Sequence, residues 1–185
     1  MKTKPLDLTQ FCTPDSIHFS FDRPWRDGSH VYASDGKILV CVDAVLLPDW
    51  TPPVGQVPQG LDLLLAPVSK IRKWRRLAPV ADCAACNNTG RVLETCDACS
   101  DDGPTRDCNI CDGTGKIETS EYCRKCIVVF ERNVLQAKYV RKLSALPDIH
   151  IGVSPKGHFG RVYFKFAGGR AVLSALRGTS EWLRL

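Results

Sequence analysis

Apolar and polar residues alternate in several short stretches of the chain, and this pattern predicts an antiparallel β-sheet. Residues 16–21 alternate in this way and are predicted to form a strand. Residues 30–34 and 37–42 are mainly apolar and lie on either side of Asp35-Gly36, a dipeptide typical of a tight hairpin turn. Further strands are predicted at 127–130, 149–153, 161–166 and 170–176. The last two of these are joined across Gly168-Gly169, which favours a second hairpin.

Two other stretches have helical periodicity. A helix predicted over 62–77, with Pro67 near its start, would place four apolar residues on one face: Leu64, Val68, Ile71 and Trp74. A second helix is predicted over 134–146, where Pro147 ends it. Its apolar stripe would be Leu135, Tyr139, Leu143 and Leu146. Prolines are too frequent between 48 and 60 for regular structure, so a surface loop is expected there.

Cysteine is the most informative part of the composition, because eight of the ten cysteines form four Cys-x-x-Cys pairs. The pairs are Cys83/Cys86, Cys96/Cys99, Cys108/Cys111 and Cys123/Cys126. Two thiolates two residues apart can bind one Zn²⁺ from a tight turn, so four pairs supply two tetrahedral Cys₄ sites. We therefore expect two Zn²⁺ as cofactors, in structural sites whose ligand positions are all filled by sulfur.

A disulfide framework is the alternative explanation of these cysteines, and it would need an oxidising compartment. The first residues, MKTKPLDLTQFC, contain no apolar run beside their lysines, so no signal peptide is expected. No later stretch is long enough to span a membrane. We therefore predict a cytoplasmic location, where reducing conditions favour metal binding by thiolates.

The residues that follow the cysteine pairs carry a resemblance to a known family. Turn-forming residues follow three of the pairs: Asn87-Asn88-Thr89-Gly90, Gly103 and Asp112-Gly113-Thr114-Gly115. Four Cys-x-x-Cys-x-Gly-x-Gly repeats mark the cysteine-rich zinc domain of the DnaJ co-chaperones, and residues 83–126 resemble that domain. The resemblance covers about a quarter of the chain. The fourth pair is the most altered, since Ile127-Val128-Val129-Phe130 follows it without a glycine.

Spacing alone permits three ways of pairing the four cysteine pairs into two sites. The resemblance implies a nested arrangement, with Cys83, Cys86, Cys123 and Cys126 on zinc 1 and Cys96, Cys99, Cys108 and Cys111 on zinc 2. Sequential pairing, as in ordinary zinc ribbons, is the main rival. The resemblance also implies polypeptide binding, but no histidine is followed by the Pro-Asp of a J domain, so recruitment of an Hsp70-type ATPase is not expected.

Two further resemblances concern the whole chain and its flanks. The layout resembles small phage proteins that carry a DnaJ-type zinc insert, which implies a host factor as the protein partner. Residues 31–40 resemble the strand-turn-strand of DNA sliding clamps, which implies a ring around DNA.

We predict an α+β fold, with an antiparallel-sheet body and two helices interrupted by a DnaJ-like double-zinc module. In this organisation residues 1–80 and 127–185 are the two parts of the body, and residues 81–126 are the insertion. Two consecutive domains joined through the module are the alternative.

The charge distribution separates two classes of function. Residues 127–185 carry 10 basic and 3 acidic side chains, whereas residues 81–126 carry 5 and 9, and zinc binding by eight thiolates makes the module more negative. A nucleic acid would therefore be attracted to the flanks and repelled by the module. The candidate nucleic-acid-binding residues are Arg72, Arg75, Arg76, Lys138, Arg141 and Lys142.

We favour the other class, a protein-interaction module. Its candidate protein-binding residues are Asp97, Asp101, Asp102 and Asp107. No nucleophile, base and orienting group can be identified together, so an enzyme is not expected.

Overall fold

The computed structural model describes residues 6–13, 21–47, 60–99, 108, 110–112, 114–153 and 160–176. Its strands are β1 (Trp25–Asp27), β2 (His30–Ser34), β3 (Ile38–Asp43), β4 (Arg75–Arg76), β5 (Arg91–Thr95), β6 (Lys116–Tyr122), β7 (Ile127–Phe130), β8 (Asn133–Gln136), β9 (His150–Gly152), β10 (Arg161–Phe166) and β11 (Gly169–Ser174). Its α-helices are α1 (Leu61–Leu65) and α2 (Ala137–Ser144), and 3₁₀ turns lie at Thr9–Phe11, Ala44–Leu46, Ala66–Lys70 and Arg124–Cys126. The predicted strand at 16–21, except Phe21, and the predicted loop at 48–59 lie outside the described residues.

Seven antiparallel strands form the main sheet, in the order β1-β2-β3-β11-β10-β9-β4. Strands from both sides of the cysteine-rich segment share this sheet, because β3 pairs with β11 and β4 pairs with β9. The predicted hairpin at 30–42 is formed by β2 and β3. In its turn Asp35 Oδ1 accepts hydrogen bonds from the amides of Lys37 and Ile38, at 2.9 and 3.0 Å. An antiparallel sheet with two short helices agrees with the predicted α+β class.

Each face of the main sheet packs against a different part of the chain. On one face Val31, Val40 and Phe164 are buried against the stripe of α2 that contains Val140 and Leu143. The opposite face buries a second group, which includes Tyr32, Leu39, Tyr163 and Val172, against Leu65 and Ile71. Because neighbouring residues of a strand point to opposite faces, a strand covered on both sides must be apolar throughout. The continuous apolar run of β3 follows from this double burial.

The predicted helix over 62–77 is wrong beyond its first turn. Only Leu61–Leu65 is α-helical, Ala66–Lys70 is a 3₁₀ turn, and Arg75–Arg76 forms the edge strand β4. Pro67 explains the interruption, because it lacks an amide hydrogen and disfavours the α conformation of the residue before it. The segment then crosses β9 closely: a Cβ on Gly152 would lie 2.8 Å from Ile71 Cγ2. The predicted burial of Ile71 is nevertheless correct.

The second predicted helix begins later than expected. Residues 133–136 form β8, which pairs with β7, and the helix runs only from Ala137 to Ser144. The predicted apolar stripe is buried all the same, since Leu135, Tyr139, Leu143 and Leu146 are each at most 9% exposed. Pairing with β7 satisfies the backbone of Val134 and Leu135 as well as a helical turn would, which is why periodicity did not locate the boundary.

Candidate metal centres

An antiparallel ribbon of β5 and β6 carries the cysteine pairs at its two ends. Strand β5 begins directly after Gly90, which follows the first pair, and leads to Cys96 of the second pair. Strand β6 begins directly after Gly115, which follows the third pair, and leads back to Cys123 of the fourth pair. The Arg91 guanidinium lies 4.1 Å from the centre of the Tyr122 ring and donates a hydrogen bond to the carbonyl oxygen of Ser120. The ribbon therefore separates two groups of thiols, one at each end.

The group at the end remote from the fourth pair has the geometry of a complete Cys₄ site, and we call it site 2. The Sγ atoms of Cys96, Cys99, Cys108 and Cys111 all lie within 4.8 Å of one another. Two of the separations are 3.8 Å (Cys96 to Cys108) and 3.5 Å (Cys99 to Cys111). Four sulfurs about 2.3 Å from a tetrahedral zinc would lie roughly 3.8 Å apart. A disulfide needs sulfurs about 2.05 Å apart, so these thiols are spaced for a metal ion.

The second group, site 1, joins the first and fourth cysteine pairs. The Sγ atoms of Cys83, Cys86 and Cys123 lie within 4.8 Å of one another, and those of Cys83 and Cys123 are 3.9 Å apart. Cys126 packs in the same buried cluster and its thiol interacts with that of Cys86, but it stands outside the set of three. Binding of one metal ion by all four sulfurs therefore requires Cys126 to move toward the other three.

This grouping is the nested arrangement. Cys83 and Cys86 meet Cys123 rather than Cys96 or Cys99, so the sequential arrangement of a zinc ribbon does not describe the structure. All eight cysteines are free of disulfides. The residues fit two metal ions, each surrounded by four sulfurs, the donor set typical of structural zinc.

Backbone amides turn toward one thiol of every pair. The amide of Gly115 donates to Cys111 Sγ at 3.2 Å, and the amide of Gly90 hydrogen-bonds to Cys86 in the same way. In the other two pairs the acceptors are Cys96, from the amide of Ala98, and Cys123, from the amide of Lys125. Positive φ angles at Gly90 (81°) and Gly115 (69°) aim these amides at sulfur. Such angles are strained for residues with a Cβ, which explains the glycines.

The two sites repeat one pattern of hydrogen bonds. The carbonyl oxygen of Gly90 accepts from the amide of Cys123 at 3.0 Å, and that of Gly115 accepts from the amide of Cys96 at 2.9 Å. Each glycine thus connects its own cysteine pair to the first cysteine of the pair that shares its site. A sequence signal for this exists in the two matching segments, Cys-Asn-Asn-Thr-Gly at 86–90 and Cys-Asp-Gly-Thr-Gly at 111–115.

The pKa values of several thiols follow the same pattern. Burial raises the pKa of Cys126 to about 11 and also raises the pKa of Cys96 and Cys123. Burial acts on Cys111 as well, but hydrogen bonds from the Cys99 thiol and the Gly115 amide outweigh it and lower its pKa to about 6. The pKa of Cys86 is lowered for the equivalent reason, by the Gly90 amide and neighbouring thiols, against the effect of burial. In each site, therefore, the thiolate is favoured on the cysteine that accepts from the glycine amide.

Site 1 is joined to the body, and Arg141 of α2 makes the connection. Its Nη2 donates to the carbonyl oxygen of Ala81 at 2.8 Å, its Nε lies 3.4 Å from Asp82 Oδ1, and its side chain hydrogen-bonds to Cys126. Ala137, at the start of α2, is buried against Cys86, Cys123 and Cys126. Site 2 has fewer apolar neighbours: among the described residues, Ile117 is the apolar side chain packed against its cysteines. Sequence reasoning assigned Arg141 to nucleic acid and missed this role.

The remaining nucleic-acid candidates are scattered. Arg75 forms an ion pair with Glu131 at 3.0 Å and lies over the Phe130 ring, and Lys142 Nζ donates to the carbonyl oxygen of Gln10 at 2.6 Å. Lys138 is half-buried, with its Nζ 5.2 Å from the centre of the Tyr139 ring. Arg72 and Arg76 are exposed. Lys138, Arg141 and Lys142, the three candidates on α2, are thus half-buried by contacts with other parts of the chain.

One of the four protein-binding candidates can be placed. Asp97 is exposed beside Cys96 of site 2, whereas Asp101, Asp102 and Asp107 lie outside the described residues. The structure adds an apolar neighbour that sequence reasoning missed: Ile110, which precedes Cys111 of site 2, is 61% exposed. A large apolar residue between two metal ligands was the available signal.

No protein-family model, curated protein or solved structure matches this chain. No helix in the described part of the chain combines the length and apolar character needed to cross a membrane.

Proposed function

We propose that site 1 and site 2 each bind one Zn²⁺ as a structural ion. The observation that carries this is the spacing of the four sulfurs of site 2, together with the repeated amide-to-sulfur hydrogen bonds in both sites. Bound zinc would neutralise part of the charge of four thiolates and lock the turns that present them. With four sulfurs at each ion, no ligand position is left for water or substrate, which supports a non-enzymatic role.

Metal analysis tests this first step. Protein purified from reducing lysate should contain two zinc ions per chain. When a chelator removes the zinc ions, the eight thiols of sites 1 and 2 should become reactive toward a thiol reagent. The two remaining cysteines are an internal control, because Cys12 and Cys41 are buried in the body and burial raises the pKa of Cys12 to about 11. One zinc ion per chain, or disulfides in fresh material, would contradict the proposal.

The zinc-bound ribbon, in this proposal, is an insertion in the α+β body that docks a protein partner. Support comes from the main sheet, whose strands come from both sides of the segment, and from the exposure of Ile110 at the remote end of the ribbon. Asp97 and Asp112 are exposed next to ligands of the same site. An exposed apolar side chain in a site that also exposes acidic residues suits a partner surface with an apolar pocket and a basic rim.

The resemblance to the DnaJ cysteine-rich domain supports a polypeptide as the ligand. If the chain is phage-encoded, as the resemblance of its layout implies, the partner would be a host protein whose activity it modulates. A polypeptide ligand and a host partner are more specific forms of the proposed zinc-dependent docking. The docking proposal depends on neither of them.

Capture experiments with matched variants test docking. Ile110→Asp should abolish nuclease-resistant capture of a host protein, and Asp97→Lys should weaken it, because each changes the remote end of the ribbon. Val45→Asp is the control, since Val45 is 82% exposed but belongs to the body. Equal capture by wild type and Ile110→Asp would exclude this end of the ribbon as the docking surface. A partner lost on nuclease treatment would favour the nucleic-acid alternative.

A further inference from the structure

Three cationic side chains and one histidine form a row across one half of the main sheet, which we call the cationic row. The register pairs Arg170 of β11 with Lys165 of β10, Lys165 with His150 of β9, and His150 with Arg76 of β4. Directly paired residues of antiparallel strands point to the same face of a sheet. The same row continues through Cys41, Tyr32 and Trp25, all buried in the cluster on the face covered by α1. The four residues of the cationic row therefore share that face.

The row lies at the margin of the covered part of this face. Leu65 and Ile71 cover Tyr163 and Val172, which stand two positions further along β10 and β11. Arg76 and Lys165 are exposed, and His150 and Arg170 are half-buried. With about 4.8 Å between neighbouring strands, the row spans roughly 14 Å from Arg76 to Arg170. A row of this length can contact a few consecutive charged groups of an extended polyanion.

An aromatic residue borders the row. Lys165 Nζ lies 5.1 Å from the centre of the half-buried Trp74 ring, and Trp74 Nε1 donates to the carbonyl oxygen of Ile71 at 3.1 Å. Exposed Arg72 and Lys73 precede Trp74 in the segment that crosses β9. This segment adds positive charge and one ring edge beside the row.

Acidic residues on the other half of this face lie over β1 and β3 in the described part of the chain. Asp43 of β3 lies 3.5 Å from His30, and by register both share the face with Asp27. Near the row itself, Asp148 Oδ1 lies 3.9 Å from His150 Nδ1. The face is thus divided, with aromatic and acidic residues over β1 to β3 and cationic residues over β11, β10, β9 and β4.

We propose that this cationic row binds the phosphate backbone of a single-stranded nucleic acid without reading its sequence. Phosphates are attracted by a line of Arg and Lys side chains through release of counterions, and an open sheet face with an adjacent aromatic residue suits an extended strand better than a duplex groove. The row uses different side chains from the scattered candidates on α2, and it lies on the body rather than on the zinc ribbon. Its success or failure is independent of the proposed protein docking.

Binding of a fluorescent 20-nucleotide poly-dT strand to the zinc-loaded full chain tests the proposal. Arg76→Gln combined with Lys165→Gln should lower affinity about 25-fold at 0.1 M salt and reduce the slope of log K against log salt by about 1.4, because two phosphate contacts are lost. The control, Lys37→Gln combined with Lys116→Gln, removes the same charge from exposed positions in a hairpin turn and in the ribbon. It should leave the slope unchanged.

Two further variants and two other polyanions complete the experiment. Arg76→Gln alone, on an edge strand of two residues, should reduce the slope by about 0.7 and keeps the test valid if the double variant unfolds. Arg76→Lys with Lys165→Arg should retain binding. The proposal is overturned if wild type does not bind poly-dT at 0.05 M salt, if the control variant loses as much affinity, or if a 20-base-pair duplex or polyglutamate binds as tightly.

Discussion

Sites 1 and 2 have the same ligands and the same turns but different surroundings. In each, a glycine amide donates to one thiol and the glycine carbonyl accepts from a cysteine of the other pair. Site 1 packs on Ala137 and receives the Arg141 side chain from α2, whereas Ile117 is the packing partner identified for site 2 in the described part of the chain. Equivalent metal chemistry can therefore be coupled to the fold at one end of a ribbon and nearly independent of it at the other.

The difference follows from what comes after each cysteine pair. The fourth pair passes through a 3₁₀ turn directly into β7, so two ligands of site 1 are tied to the hairpin that leads to α2. The cysteines of site 2 connect to the body only through β5 and β6. No glycine follows Cys126 in the way that Gly90 follows Cys86 and Gly115 follows Cys111, and this is the point where the ribbon joins the body.

Removing one ligand from each site should give the largest contrast. Cys86→Ser should lower the free energy of unfolding of the body by on the order of 3 kcal/mol, because loss of zinc 1 exposes the surface of α2. Cys111→Ser, the equivalent change in site 2, should cost the body less than about 1 kcal/mol. Urea denaturation, monitored by tryptophan fluorescence, measures the free energy of unfolding of the body, since all four tryptophans lie outside residues 81–126. Equal losses would show that the ribbon and body unfold as one unit.

Replacing Arg141 should have an effect of intermediate size, and only at site 1. Arg141→Gln takes away the hydrogen bond to Cys126 and the contacts with Ala81 and Asp82. One of the two zinc ions should then transfer to a chromogenic chelator about 10-fold faster, because outer hydrogen bonds orient metal ligands and tune their charge. Lys142→Gln on the same helix is the control. Unchanged release in Arg141→Gln, or faster release of both ions, would contradict a role confined to site 1.

Changing the glycines should have the smallest effect and should not distinguish the sites. Gly90→Ala and Gly115→Ala each place a Cβ at a positive φ angle, which costs roughly 1 kcal/mol. At Gly90 the nearest side-chain atom would be Lys138 Cδ at 3.6 Å, an ordinary contact, so no additional clash is expected. Competition with a zinc chelator measures the affinity of each site. A much larger loss at one glycine would mean that the turns themselves differ.

The sequence predicted burial better than it predicted boundaries. The spacing of Leu135, Tyr139 and Leu143 correctly identified buried positions although Leu135 belongs to a strand, because burial depends on which side of the chain is apolar. Pro67 was noticed, yet the edge strand after it was not predicted, since its pairing with β9 is a contact across 70 residues or more. Propensity carries no information about such partners.

The candidate sites divide in the same way. The ligands were identified from spacing alone, while their nested pairing required a resemblance, because equal Cys-x-x-Cys units do not specify which two share an ion. The contact between Arg141 and Cys126 was not predicted, because nothing in the sequence of α2 indicates that Cys126 lies beside it. The cationic row of Arg76, His150, Lys165 and Arg170 needed both the order and the register of four strands, which only the fold supplies.

Nested pairing also has a consequence for the newly synthesised chain. The ribosome releases residues in order, so Cys83, Cys86, Cys96 and Cys99 are the first four thiols of the cysteine-rich segment to emerge, and together they form neither of the two sites. A zinc ion captured by these four would have to pass to other thiolates once Cys108 and Cys111 appear, and site 1 could close only after Cys126. If zinc binds during synthesis, ligand exchange around the ion would therefore precede the packing of α2 against site 1.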